Sequence, residues 1–176
     1  SFSKACDLMD IEVKMVGIDY NTRKMNLNEV ESAIDKNTIL IVASAPAFSH
    51  GIVDDIKSLG EIAKSNNISL HVDSCLGGFL TAFSKEINDI EHDASFRTPG
   101  VTSISVDTHK YGYAPKGSSV ILFRNPEIRR YAYFICSNWT GGIYATSSLT
   151  GTRPGNIIAG TWAALTSFGL EGYRES

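Results

Sequence analysis

Apolar and polar positions change period several times along the chain, and each change marks an element. Ile11-Glu12-Val13-Lys14-Met15-Val16 alternates as a strand with one wet face does, which predicts a peripheral strand. Asn28 stands three residues before Glu31 in the manner of a capping box, and Val30, Ala33 and Ile34 share one helical face, so a short helix is expected there. Thr38-Ile39-Leu40-Ile41-Val42-Ala43 is a continuous, β-branched-rich apolar run, the pattern of a strand covered on both faces. Asp54 or Asp55 can cap the next helix, in which Ile56, Leu59, Ile62 and Ala63 keep the 3.6-residue period until Asn66-Asn67. Ile68 to Val72, Thr102 to Val106 and Ser119 to Phe123 read as three more strands, the last two as a hairpin. Asn125-Pro126 fits an N-cap and first helical position, predicting a helix from Glu127 to Phe134. A Gly-rich stretch, Thr140 to Gly155, precedes a final helix expected from about Ile157 to Phe168.

Strands alternating with helices predict an α/β layer architecture with a mainly parallel sheet flanked by helices. The composition fits one such core: 176 residues, 43% hydrophobic and 20% charged. A formal charge of -3, without a Lys/Arg run, gives no footprint for a polyanion, so nucleic acid is excluded as a main partner. No stretch approaches eighteen apolar residues. Cys6, Cys75 and Cys136 form an odd set without metal-ligand spacing, which predicts free thiols and no metal centre. Both ends read as cut through elements, so the chain is expected to be part of a longer protein.

In open α/β sheets ligands bind outside the carboxyl ends of the strands, so polar residues just after strands are the first candidates. Three groups qualify: Ser44-Ala45-Pro46, Asp73-Ser74-Cys75-Leu76-Gly77-Gly78-Phe79 and Asp107-Thr108-His109-Lys110-Tyr111-Gly112. An Asp after a buried strand followed at a distance by a Lys suits pyridoxal 5'-phosphate, whose ring nitrogen needs a carboxylate and whose aldehyde needs an amine. Asp73 and Lys110 fit those two tasks, and a Lys beside the cationic ring is expected to lose its proton readily. Alone, such an Asp is as good an N-cap, and such a Lys as good a surface residue. The combination, with Gly77-Gly78 permitting close backbone approach, favours the cofactor.

The segments His71 to Phe79, Ser103 to Ser119 with its Asp-Thr-His-Lys-Tyr-Gly-Tyr-Ala-Pro-Lys-Gly block, and Trp139-Thr140-Gly141-Gly142-Ile143-Tyr144 resemble the sphingosine-1-phosphate lyases. Ser44 to Gly51 and Gly151-Thr152-Arg153-Pro154-Gly155 extend the likeness in order. These enzymes are group II pyridoxal-dependent decarboxylases of fold type I. The resemblance implies the large domain of that fold, Lys110 in Schiff-base linkage to the cofactor, Asp73 on its ring nitrogen and His109 at its phosphate. It places Ser44 and Ala45 against the ring, Lys116 towards the substrate phosphate and Tyr144 at the entrance. His50 reads either as polar support in a turn or as a neighbour of the cofactor, and Cys75 as a small packing residue.

The implied reaction is cleavage of the C2–C3 bond of a phosphorylated long-chain base, giving a long-chain aldehyde and phosphoethanolamine. Loss of carbon dioxide from an amino acid on the same scaffold is the nearest alternative, and a catalytically silent scaffold domain is the alternative of another class. The resemblance further implies a homodimer with shared active sites, built in part by Gly141 to Gly155. In a eukaryote it implies location at the endoplasmic reticulum membrane with the catalytic domain facing the cytosol, and a cytoplasmic location otherwise. A membrane anchor, a Gly-rich phosphate cup and a small C-terminal domain are expected outside these 176 residues, so the stretch alone should bind cofactor poorly.

Overall fold

Parallel pairing of three apolar strands organises the chain in a computed structural model that describes residues 1–88 and 93–176. Helix α1 (Phe2–Leu8) precedes α2 (Leu27–Ala33), strand β1 (Leu40–Ser44), helix α3 (Ile56–Ser65) and strand β2 (Ser69–Asp73). Two short helices, α4 (Gly78–Thr81) and α5 (Ser84–Asn88), then lead towards β3 (Val101–Val106) and β4 (Val120–Phe123). Helix α6 (Pro126–Arg129), a small hairpin of β5 (Phe134–Cys136) and β6 (Tyr144–Thr146), and α7 (Gly155–Glu175) complete the order. Among the described residues the main sheet runs β1-β2-β3-β4, with β4 antiparallel to β3, so the mainly parallel α/β expectation holds.

The core lies where α3 packs on the sheet. Ile56, Leu59, Ile62 and Ala63 recur on one face of α3 and meet Ile41, Ala43, Leu70, Val72, Val101 and Ile104. Leu59, Leu70, Val72 and Val101 are fully buried, each stabilising the fold by roughly 1.5–3 kcal/mol relative to exposure. Asp55 caps α3 by accepting from the Ser58 amide at 3.1 Å, and Asn67 leaves the helix in a left-handed conformation with φ 55°. Gly60 in α3 faces Gly100 just before β3. A Cβ on Gly100 would run into the Gly60 carbonyl, so glycine at this contact lets backbone meet backbone.

Several elements depart from the sequence pattern. Residues 11–16 form no strand: Ile11, Val13 and Met15 are exposed, and the nearest pairing is a single bridge between Ile18 and Met25. Alternation there lacks a partner strand, and only Val16 packs on the core. The cap of α2 is Asn26, two residues earlier than the pattern predicts; it accepts from Asn28 and Glu29 amides while its amide group donates to Glu29 Oε1 at 3.1 Å. The helix after Asn125 stops at Arg129 and yields by a 3-10 turn to β5, because Phe134 and Ile135 enter the small hairpin with Ala145 and Thr146. The final helix passes Phe168 but breaks its geometry at Gly169, φ 57°. No described helix is long and apolar enough to cross a membrane.

Candidate active site

Three parallel strands in register end at one edge. Ser44 pairs with Asp73, and Asp73 with Ser105, so the segments following β1, β2 and β3 emerge side by side. The edge is tied together by the backbone: the Ala45 amide donates to the Asp73 carbonyl at 2.9 Å and the Asp107 amide to the Cys75 carbonyl at 3.2 Å. Close approach is written into the glycines. A Cβ on Gly77 would collide with the Pro46 ring, and one on Gly112 with the Thr108 carbonyl.

Asp73, at the end of β2, accepts two bonds on Oδ1: from the Cys75 amide at 3.0 Å and from Ser105 Oγ at 2.9 Å. Lys110 reaches back over the same turn, its Nζ 3.1 Å from Cys75 Sγ and 3.0 Å from Asp107 Oδ2. Cys75 therefore bridges the carboxylate and the amine, and is more than a packing residue. Burial pulls the Lys110 pKa down, but the hydrogen bonds to Cys75 and Asp107 outweigh it and leave it raised. Without the cationic ring beside it, Lys110 is thus held as an ammonium against Asp107. Burial works against the Asp107 carboxylate too, yet bonds from Ser119 Oγ (2.6 Å) and Lys110 hold it below the usual range. Burial also pushes the Cys75 thiol up.

His109 turns its Nδ1 to the Ser118 carbonyl at 2.7 Å, with Nε2 3.7 Å from Asp107 Oδ2. Thr108 bonds Ser118, whose hydroxyl meets Thr161 of α7 at 2.9 Å, and Tyr173 donates to the Gly112 carbonyl at 2.8 Å. The lysine-bearing loop is thereby pinned to α7. Ser44 is held from behind, its amide donating to Asp54 Oδ2 at 2.9 Å, while Ala45 is sealed inside the core.

The remaining candidates stand apart. Lys116 is exposed in a turn beside Gly117 (φ 105°), and Tyr144 on β6 packs edge-on to Trp139 at 6.5 Å. Among the described residues no hydrogen bond or ion pair joins either to Asp73 or Lys110. His50 is exposed, with Nε2 3.1 Å from the Arg23 carbonyl and Nδ1 2.6 Å from Ser49 Oγ, which is turn support. Asp107 was the residue that pattern reading left without a task, although its position three before Lys110 is the spacing of an ion pair in a turn.

The donor set fits pyridoxal 5'-phosphate: an amine that can condense with an aldehyde and a carboxylate that can hold a ring-nitrogen proton, joined through one cysteine. The family model described as pyridoxal-dependent decarboxylase conserved domain matches residues 1–176. A sphingosine-1-phosphate lyase of Saccharomyces cerevisiae is 48% identical over 176 residues, covering 99% of this chain and 30% of that protein. Sphingosine-1-phosphate lyase 1 of Rattus norvegicus is 45% identical over 177 residues, covering 100% of this chain and 31% of the relative. Among solved structures, a sphingosine-1-phosphate lyase of Burkholderia pseudomallei superposes with TM-score 0.95 at 44% identity, covering 99% of this chain and 40% of that one. A glutamate decarboxylase of Lactobacillus brevis follows the same fold at TM-score 0.82 and 27% identity, again over 99% of this chain and 40% of its own. The chain thus spans about 30% of the length of the curated relatives it matches.

Proposed function

Because the chain belongs to the pyridoxal-dependent decarboxylase family, we propose that it is the central, cofactor-holding part of the large domain of a pyridoxal 5'-phosphate-dependent lyase acting on phosphorylated long-chain bases. The observation that carries this reading is the Asp73–Cys75–Lys110 constellation at the carboxyl edge of a sheet that matches lyases of this name at 44–48% identity. The glutamate decarboxylase shares the scaffold at 27%, which favours lyase over amino-acid decarboxylase.

Bound at this edge, the cofactor supplies an electron sink for breaking the substrate C2–C3 bond. Lys110 holds it covalently and, when its amine is free, moves a proton at the reacting carbon. Asp73 holds the ring-nitrogen proton, and His109 bears on the cofactor phosphate. Ser44 and Ala45 are assigned to the ring by the family resemblance, Ser44 being fixed by its amide bond to Asp54 Oδ2. By the family resemblance, Lys116 is assigned to the substrate phosphate and Tyr144 to the entrance. The products are a long-chain aldehyde and phosphoethanolamine.

The same reading makes the complete protein a homodimer with shared sites, with any membrane contact made through a segment other than these residues, at the endoplasmic reticulum in a eukaryote. Incubating the complete protein with sphingosine 1-phosphate and cofactor tests it. Equimolar aldehyde and phosphoethanolamine are expected; carbon dioxide release from amino acids without aldehyde formation would overturn it.

A further inference from the structure

Behind Asp73 the sheet carries a line of polar side chains that the proposed chemistry does not use. His71 and Asp73 lie on one face of β2, and their register partners on β3 are Ser103 and Ser105. His71 Nδ1 is 2.8 Å from Ser103 Oγ and Nε2 is 3.1 Å from Ser105 Oγ, while Ser105 Oγ donates to Asp73 Oδ1 at 2.9 Å. The ring is buried and stacked obliquely under Phe2, 5.5 Å between centroids.

Proton counting fixes the direction of this chain. Ser105 has one hydroxyl proton and gives it to Asp73, so Ser105 Oγ must accept from His71 Nε2–H. Burial lowers the His71 pKa against the opposing pull of Asp73, so the ring is neutral near pH 7 and its Nδ1 accepts from Ser103. Both donors to Asp73 then converge on Oδ1, which leaves Oδ2 as the oxygen for a ligand proton.

We propose that His71 is a positioning residue for the cofactor: as a neutral imidazole protonated on Nε2, it commits the Ser105 hydroxyl to Asp73 and so orients the carboxylate towards the cofactor ring nitrogen. This rests on the functional reading above for the identity of the ligand, whereas the hydrogen-bond direction stands without it. An apolar ring at position 71 would release Ser105 to rotate and let Asp73 swing.

Histidine selectively labelled with 15N in the complete protein, with the His71 signal assigned by its loss in His71→Gln, reads the tautomer directly. A neutral Nε2–H ring at pH 7 is expected; an Nδ1–H ring or an imidazolium overturns the inference. Cofactor dissociation constants give the second measurement. Ser105→Ala and His71→Phe should each weaken binding about tenfold, the scale of one hydrogen bond to a charged group. The double variant should lose no more than either single one, and His71→Gln, which keeps a donor for Ser105, should recover most of the affinity. Additive losses would mean two unrelated packing defects and would sink the proposal. If His71→Phe fails to fold, Ser105→Ala, His71→Gln and the tautomer still decide. Failure of the unaltered protein to bind cofactor would instead strike the functional reading.

Discussion

Lys110 Nζ stands 3.0 Å from Asp107 Oδ2 within one turn, both side chains mostly buried, so the amine is held as an ammonium until something displaces the carboxylate. Removing that acceptor should free the amine. In Asp107→Asn the Lys110 pKa is expected to fall, because a hydrogen-bonded carboxylate that favours the ammonium is removed while burial still opposes the charge. Deprotonated amine is the form that attacks an aldehyde, so the pH profile of cofactor capture should move to lower pH in the variant. An unmoved profile would show that Asp107 does not restrain Lys110.

Lys110→Ala should abolish the visible absorbance of the cofactor-loaded protein, because only an amine at that position can form the covalent link. Borohydride reduction followed by peptide mapping should place the label on Lys110. Recovery of the label on Lys116 would transfer the assignment to the exposed turn.

Asp73→Asn keeps the shape of the β2 terminus and the acceptor on Oδ1, but loses the charge that holds a ring-nitrogen proton. Turnover is expected to fall by orders of magnitude with little change in thermal unfolding. Near-normal turnover would count decisively against the role given to Asp73.

The strands that carry the site were legible as short apolar runs, although β1 is not covered on both faces as its run predicts. Ile41 and Ala43 share one buried face, as do Leu70 and Val72 of β2, while Leu40 of the edge strand β1 is exposed and the other face of β2 carries His71 and Asp73. Polar residues just past them, Ser44, Asp73 and Asp107, then had to meet at one edge once the pairing was parallel. Residues 11–16 misled because alternation states only that a strand would be amphipathic, not that a neighbour exists to pair with it. The β5–β6 hairpin escaped notice because Tyr144 to Thr146 is three residues inside a Gly-rich stretch, too short for periodicity to register. Cys75 and the His71–Ser105 link depend on cross-strand register and on the path of one turn, which no local pattern encodes.

Gly100 is predicted to be the least replaceable residue of the core. Its missing side chain lets the segment before β3 touch the Gly60 backbone in α3, and an added methyl would meet a carbonyl that a packed helix cannot withdraw. Gly100→Ala should therefore cost about 3 kcal/mol, an overpacking penalty, read from urea unfolding of the complete protein. A loss below about 0.5 kcal/mol, the scale of a surface change, would show that α3 can shift away.

The last prediction concerns the exposed segment between β6 and α7. Arg153 organises it from within, donating to Ser148 Oγ at 2.6 Å and to the Thr150 carbonyl at 3.2 Å, yet Leu149 is 92% exposed and Gly151 and Gly155 leave the backbone open. A loop ordered by its own arginine, rich in hydroxyls and glycine, offers backbone N–H groups and hydroxyls to an anion such as the cofactor phosphate. If the proposed homodimer shares its sites, the phosphate this loop meets would be that of the neighbouring subunit. Mixing two inactive variants, one with Lys110→Ala and one with residues 151–155 replaced, separates the two arrangements. Acting across the interface, the loop leaves each heterodimer with one site carrying both defects and one carrying neither, so activity returns in the mixture. Acting within its own subunit, it leaves every site with one defect, and no activity returns although heterodimers form.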